Sequence, residues 1–559
     1  MARRALVLVL LTLAAAPTAR AADPILPLAE LRPGMSCTGL SVIRGTEVSS
    51  FGVEVLDVIA GETGLTGPRI LVRVSGPAVD ASGVGPGFSG SPILCGGRNA
   101  GAISESIGEY GNHVVLATPI EEMLLEQPRA PVSARRDPAL LRSARPLAAP
   151  LTVSGLSGRS LRLLQGAARY AGRPLLAAPS GPQGGFAPAP LVPGAAVAAA
   201  ISTGDLALSA VGTVTYRDGD RLWAFGHQLD GLGRRSLFLT DAYVYGVIQN
   251  PLGVPELGAG TYKLASSGGH LQGSVSADGF ASIAGTVGAP PASIPLKVTA
   301  RDRAGGTVTL DSQLADERAL GYGAGLSLVA PLAVNQAVDG LLRSRGPSTL
   351  SACARFSVRE RGRPMSYCNT YFGIDAALFD LTEAARLVEG YDLSPLGLRR
   401  VEVSVRARRG VTSDVIVSGR APGRVRQGRR IRVRLDLQRR HDGERSLSVP
   451  VRVPRGLRPG MHTLVIRGNG DAPSFEDELF EQLFGTIIEF VDFGEESDEP
   501  KSVRELAAAV SDVEEPRGIE ARIKGHEPQL VHRSDKISFE GRVRLSLRVM
   551  PARPARRSR

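Results

Sequence analysis

The chain has 559 residues, 43% of them hydrophobic and 22% charged, with 66 glycines, 39 prolines and few aromatics at 5%. That length holds three or four domains of roughly 100–200 residues, and the balance is that of a folded chain rather than a disordered one. The formal net charge of +11 favours anionic partners, and glycine-rich punctuation with few aromatics points to short strands and frequent turns, hence a mainly β architecture.

In chain order, residues 1–21 read as a signal peptide. Arg3 and Arg4 precede the apolar run Ala5–Ala16, and Ala19-Arg20-Ala21 is a small-x-small cleavage pattern. The expected product is a secreted or periplasmic (cell-envelope) protein starting near Ala22. No later stretch reaches about 18 consecutive apolar residues, so no transmembrane segment is expected in the mature chain. An oxidising compartment makes the four cysteines disulfide candidates. Cys37–Cys95 and Cys353–Cys368 are the favoured pairings by locality. No Cys-x-x-Cys or histidine cluster suggests a metal, and no cofactor motif is present.

Residues 22–128 read as strands, among them "SVIRGTEVSSFGVEVLDVIA", "RILVRVSG" and two strands about a Gly-Gly-Arg-Asn turn. Then "TPIEEMLLEQ" is a short predicted helix with Thr118 as its cap and Glu121 three residues on. Residues 129–193 are a Pro/Ala-rich connector holding a strand and a helix. Residues 194–352 return to strands, with the hairpin "GTVTYRDGDRLWAFGHQL", and end in a helix-like stretch. Residues 353–470 alternate like an immunoglobulin-like β-sandwich. Residues 471–559 are acidic and partly helical with a disordered tail. The charge excess lies between Arg399 and Arg440. It reads either as the solvated face of a β domain or as a contact for an anionic cell-envelope polymer. No aromatics interleave these arginines, which argues against nucleic acid.

The candidate chemistry is in "GVGPGFSGSPILC", Gly83–Cys95. A serine needs a base and oxyanion donors before it attacks a carbonyl. Gly87, two before Ser89, lets the chain turn so that the N–H groups of Gly87 and Ser89 face one point. The strand-to-helix elbow of the α/β-hydrolases is excluded, because Ser91 stands where that motif has glycine and a strand follows. A plain Gly/Ser turn remains the alternative, and Ser91 is a rival nucleophile. Among the histidines, His113 and His270 fall in loops, and His441, His462, His526 and His532 in the sandwich or beyond. His227 closes the apolar strand "LWAFGH", where a ring is held rigidly and can face a cleft.

Together these two segments resemble the signatures of the SpoIVB-type (sporulation stage IV B) serine peptidase family, which is similar to the chymotrypsin-like group. The family patterns are Gly-Met-Ser-Gly-Ser-Pro before a Gly-Ala strand, and Leu-Gly-His ending a hairpin. The resemblance implies two chymotrypsin-like β-barrel halves, Ser89 as nucleophile, His227 as base and an exported serine endopeptidase acting on a protein or peptide. Three departures stand out. Phe88 replaces methionine. The serine segment comes 227 − 89 = 138 residues before the histidine segment, the reverse of the family order. The family's acidic position falls near Val74–Ser75. Asp80, Asp230 and Asp241 are the alternatives for the acid, with Asp241 preferred. Without an acid, a catalytically degenerate peptidase fold serving as a binding or scaffold protein is the alternative function.

Overall fold

The computed structural model describes residues 24–551 apart from 62–66, 108–112, 125–134, 137–143, 147–150, 157–159, 163, 166–174, 178–184, 250–260, 321–323, 344–345, 395, 440–442, 469–499 and 514–516. The signal-peptide expectation, most of the connector, the acidic "SFEDELFEQLF" helix and the final tail lie outside these residues.

The fold is mainly β. Six strands, β1 (Ser36–Val42), β2 (Val48–Ala60), β3 (Arg69–Ser75), β4 (Pro92–Cys95), β5 (Arg98–Ile107) and β6 (Val114–Pro119), form an antiparallel barrel. Their order around the ring is β1-β2-β3-β6-β5-β4 and back to β1, a closed Greek key. Alternation drives it: in β2, Phe51, Val53 and Val55 point inward while Glu54 faces water. Gly96 and Gly97, at φ 58° and 79°, make the two-residue hairpin between β4 and β5, a turn that requires positive φ at both positions. The β1–β4 seam pairs only Thr38↔Leu94 and Gly39↔Ile93, and the disulfide Cys37–Cys95 crosses this seam.

A second ring follows: β7 (Ala196–Gly204), β8 (Ala207–Asp218), β9 (Arg221–Ala224), β10 (Gly233–Ile248), β11 (Tyr262–Asp278) and β12 (Ile283–Val287). All its pairings are antiparallel, and the order is β7-β8-β9-β12-β11-β10 and back to β7. Strand for strand this is the order of the first ring. Strand β8 is buried on both faces. Ala210 and Val214 fill the second ring's interior. Val211, with Ala196, Ala198, Ala242, Val244 and Ala265, packs around Val42 of the first barrel. Four alanines in this layer allow the two barrels to approach closely.

From β7 the sheet continues through β14 (Thr307–Ala315), β13 (Ser293–Arg301), β17 (Leu398–Arg409), β15 (Ser348–Val358) and β16 (Met365–Phe372). Helices α1 (Ala324–Leu342) and α2 (Ile374–Glu389) cover its apolar face. Helix α1 is long and apolar enough to cross a bilayer, but most of it is buried in this core. The second disulfide, Cys353–Cys368, joins β15 to β16.

The sandwich begins later than residue 353. Strands β15–β17 belong to the large sheet, and the two-sheet sandwich runs from Ser413 to Met550. Its core combines Val433, Leu435 and Val449 of one sheet with Leu464, Ile519 and Leu547 of the other. Residues 518–550 are therefore strand-rich rather than helical, and among the described residues the helix of this region is Val503–Asp512. The expected immunoglobulin-like topology is replaced by sheets that recruit the C-terminal strands, because Ser538–Glu540 pairs in parallel with Ser413–Arg420.

Replacing Cys37 and Cys95 together by serine should cost about 2–5 kcal/mol, since the bridge closes a 58-residue loop. Denaturant unfolding of the double variant checks this. Unchanged stability would mean that the two-residue β1–β4 seam closes the barrel unaided.

Candidate active site

Ser89 lies in the connection between β3 and β4, and His227 in the connection between β9 and β10. These are the same connection, third strand to fourth, of two rings with the same order. The serine loop turns sharply at Gly87 (φ 93°) and Gly90 (φ 89°), where glycine alone is comfortable. At Gly90 a β-carbon would run into the carbonyl oxygen of Thr213 and the backbone nitrogen of Phe225. The loop is thus pressed directly on the chain that carries His227.

That contact is a continuous set of hydrogen bonds. The Thr213 N–H donates to the Ser89 carbonyl at 2.8 Å, and Gly90 N–H donates to Ile103 O at 2.8 Å. The Thr215 hydroxyl donates to Gly90 O at 2.7 Å and the Thr213 hydroxyl to Gly87 O at 3.1 Å. From the first barrel, the Thr118 hydroxyl donates to Gly226 O at 2.6 Å. Thr118 was expected to cap a helix; the short turn Ile120–Met123 has Pro119 at its cap with no side-chain bond, and Thr118 holds the histidine loop instead. Glu121 also has another role, accepting from the Leu28 N–H at 2.7 Å.

Ser89 is fully buried, and its Oγ has no hydrogen-bond partner. Among the described residues, the N–H groups of Gly87 and Ser89 donate to no protein acceptor either. A buried hydroxyl and two nearby buried N–H groups without a protein partner are uncommon in a folded core. His227 is 4% exposed. Its Nδ1 is 2.6 Å from the Gln228 carbonyl. A carbonyl only accepts, so Nδ1 carries the proton and Nε2 is the basic nitrogen. Phe225, two residues earlier, is fully buried at φ 74°, a sterically disfavoured conformation for a bulky side chain that neighbouring packing must enforce. The loop after His227 is held from below: the Asp278 carboxylate accepts from the N–H groups of Leu229, Asp230 and Gly231 at 2.7–2.9 Å.

The expected acid is elsewhere. Asp241 is fully buried, and its Oδ2 accepts from His270 Nδ1 at 2.8 Å and from Ala189 N at 2.9 Å. It stands behind His270 and makes no hydrogen bond to His227. The β10–β11 pairing slips on both sides of Thr240, and that irregularity brings Asp241 and His270 together. Asp230 is clamped by Arg235 at 2.7 Å, and Asp80 receives the Gly76 N–H on an exposed loop of the first barrel.

Sequence reading missed Lys263. This side chain on β11 is fully buried. Its Nζ donates to Ser41 Oγ at 2.7 Å and to Thr213 Oγ1 at 3.3 Å, and sits 4.5 Å from the Phe88 ring centre. Ser41 Oγ lies in turn 2.8 Å from Ser91 Oγ. The aliphatic stem packs against Gly87, where a β-carbon would crowd it at 2.9 Å. Ser91, the rival nucleophile, is therefore occupied in a Lys–Ser–Ser network that braces the serine loop from behind. Burial without a carboxylate pushes the Lys263 amine down to about 7. The only signal in the sequence is a lysine flanked by Tyr262 and Leu264 in the segment "YKLASS".

The two expected disulfides are present, and among the described residues no cluster of His, Cys, Asp and Glu could hold a metal ion. No family model matches the chain, and no curated protein or solved structure shows significant similarity to it.

Two outcomes follow from this geometry. The unfolded chain binds a proton at Lys263 below about 10.5 and the folded chain only below about 7. Between these values the unfolded state holds more protons, so stability rises as pH climbs from about 7 to about 10. Lys263→Met should be more stable than wild type at pH 7, with the gap narrowing towards pH 10; parallel melting-temperature profiles would contradict a neutral buried amine. Asp278→Ala strands three N–H groups and should destabilise by about 3 kcal/mol or more, read as a lower midpoint in urea.

Proposed function

We propose that the protein is an exported serine endopeptidase of the SpoIVB type, built on two chymotrypsin-like halves. One observation carries the reading. Ser89 and His227, the residues matching that family's two signatures, occupy the equivalent loop of two rings of six strands joined in one order, and both loops are hydrogen-bonded to the same strand, β8, at Thr213. Equivalence also accounts for the reversed order along the chain, since either ring can supply either residue.

In the proposed reaction, Ser89 Oγ attacks the scissile carbonyl and its proton passes to His227 Nε2. The carbonyl oxygen, now an oxyanion, is received by the Gly87 and Ser89 N–H groups, which have no competing acceptor. His227 then gives the proton to the leaving amine. Water attacks the acyl-enzyme through the same base and regenerates Ser89. The Gln228 carbonyl sets the ring tautomer but supplies no full negative charge to stabilise the imidazolium. Both reacting groups are buried, so substrate reaches them only when the Gly83–Ser91 loop parts from Thr213–His227.

That burial, with Asp241 committed to His270, favours a second reading: a catalytically degenerate peptidase fold acting as a cell-envelope binding or scaffold protein. Labelling with a fluorophosphonate separates the two. Under the peptidase reading wild type is labelled, peptide mapping finds the label on Ser89, Ser89→Ala is blank, and His227→Ala labels at least about 10²-fold more slowly. No labelling of folded wild type, or equal labelling of Ser89→Ala, would reject the peptidase reading.

A further inference from the structure

Strands β13, β17, β15 and β16 lie side by side, with alternate residues facing away from helices α1 and α2. On that outer face, register sets the side chains in rungs. Arg301, Arg406, Ser351 and Thr370 form one, and Lys297, Glu402, Arg355 and Ser366 another. Between them run Thr299, Ser404 and the Cys353–Cys368 bridge. Arg533 and Asp535 of the sandwich overhang this face, and together they enclose an open cleft of about 680 Å³. A smaller cleft of about 250 Å³ shares Arg301, Ser351 and Arg406 and continues past Arg303 and Arg408.

The cations here are mostly uncommitted. Among the described residues, the side chains of Arg301, Arg355 and Arg406 make no ion pair or hydrogen bond. The acids are already engaged: Glu402 by Arg400 at 3.2 Å, Asp535 by Arg533 at 3.7 Å, and Asp302 by the Gly306 N–H. Arg301 and Arg406 sit directly opposite on neighbouring strands, an arrangement that repels until an anion lies between them. Four residues along β17 separate the rung of Arg406 from that of Arg355, about 13 Å on a strand. Neither cleft is lined by an aromatic side chain.

We infer that this groove binds a linear polymer carrying repeated phosphate groups. The Arg301–Arg406 pair and Arg355, about 13 Å apart along the strands, suit successive anionic groups better than one small anion, since in the second rung Lys297 is paired with Asp311 and Glu402 with Arg400. Guanidinium forks suit phosphate oxygens, and Ser351, Thr370 and Asn369 offer further hydrogen bonds between them. The lack of aromatic rings leaves no platform for bases, which excludes recognition of single-stranded nucleic acid by stacking. The arginine-rich stretch of the sequence thus divides: Arg406 and Arg408 face the groove, whereas Arg430 and Arg432 are exposed on the sandwich. This site goes beyond the proposed peptidase activity and stands whether or not Ser89 reacts.

The test is binding of the full chain to fluorescein-labelled inorganic polyphosphate, followed by anisotropy over a salt series. Arg301→Gln with Arg406→Gln should weaken binding about tenfold or more and reduce the salt slope by about two. Arg430→Gln with Arg432→Gln should change neither, and Ser89→Ala should bind as wild type. These arginines are exposed, so melting temperatures should stay unchanged. Absent polyphosphate binding, equal losses in the two double variants, orthophosphate competing as well per phosphate as the polymer, or an oligonucleotide binding as tightly would each overturn the assignment.

Discussion

The close approach of two loops at Gly90 is the constraint on which the rest of the centre depends. A backbone with no side chain lets Thr213 reach the Ser89 carbonyl and Thr215 reach that of Gly90. Each of these bonds is worth only about 1 kcal/mol net, but each is buried, so losing one leaves a polar group stranded at greater cost. The barrels are therefore registered by hydrogen bonds at the loops and by small apolar residues behind them. The alanines around Val42 supply contact area without setting an angle; the directed bonds set it.

Lys263 stands at the same junction from the opposite side. It spans from the second ring to Ser41 of the first. A buried amine near neutrality costs little while it stays uncharged and costs much more when it takes up a proton. The junction thus combines fixed bonds, which hold the loops in register, with one group whose charge opposes burial in acid. On the proposed reading, the step that uncovers Ser89 separates the same surfaces, and Lys263 is the group in that interface whose protonation weakens it.

Much of this was legible in the chain itself, and what escaped has a common cause. The β-rich architecture, both disulfides, the β8–β9 hairpin and the Ser89 and His227 segments are local patterns: alternation, glycine turns, short spacings. Thr118 escaped because a threonine before a helical turn looks like a cap, and only the second ring reveals the Gly226 carbonyl it serves. Lys263 escaped because a lysine in a strand ordinarily faces solvent. Asp241 was placed behind the wrong histidine because its partner depends on a register slip between two long strands. The sandwich was begun too early because β17 alternates like its neighbours in sequence, and only pairing shows that it belongs to the large sheet.

On the proposed reading, equivalence of the two rings explains the placement of Ser89 and His227 and leaves the third group unexplained. A loop shared by both rings can deliver one residue from each side to a common point, whatever their order in the chain. An orienting carboxylate has no such symmetric source; it must come from wherever a strand brings an acid to the histidine's far nitrogen. In this protein that nitrogen meets the next residue's own carbonyl, and the expected carboxylate, Asp241, serves His270. The orientation of His227 is therefore local and built from three consecutive features: a strained Phe225, a carbonyl at Gln228 and the Asp278 carboxylate gripping the loop beyond. Such a construction sets the ring's tautomer through a carbonyl dipole. On the proposed reading it trades transition-state stabilisation for a loop that folds correctly from its own sequence.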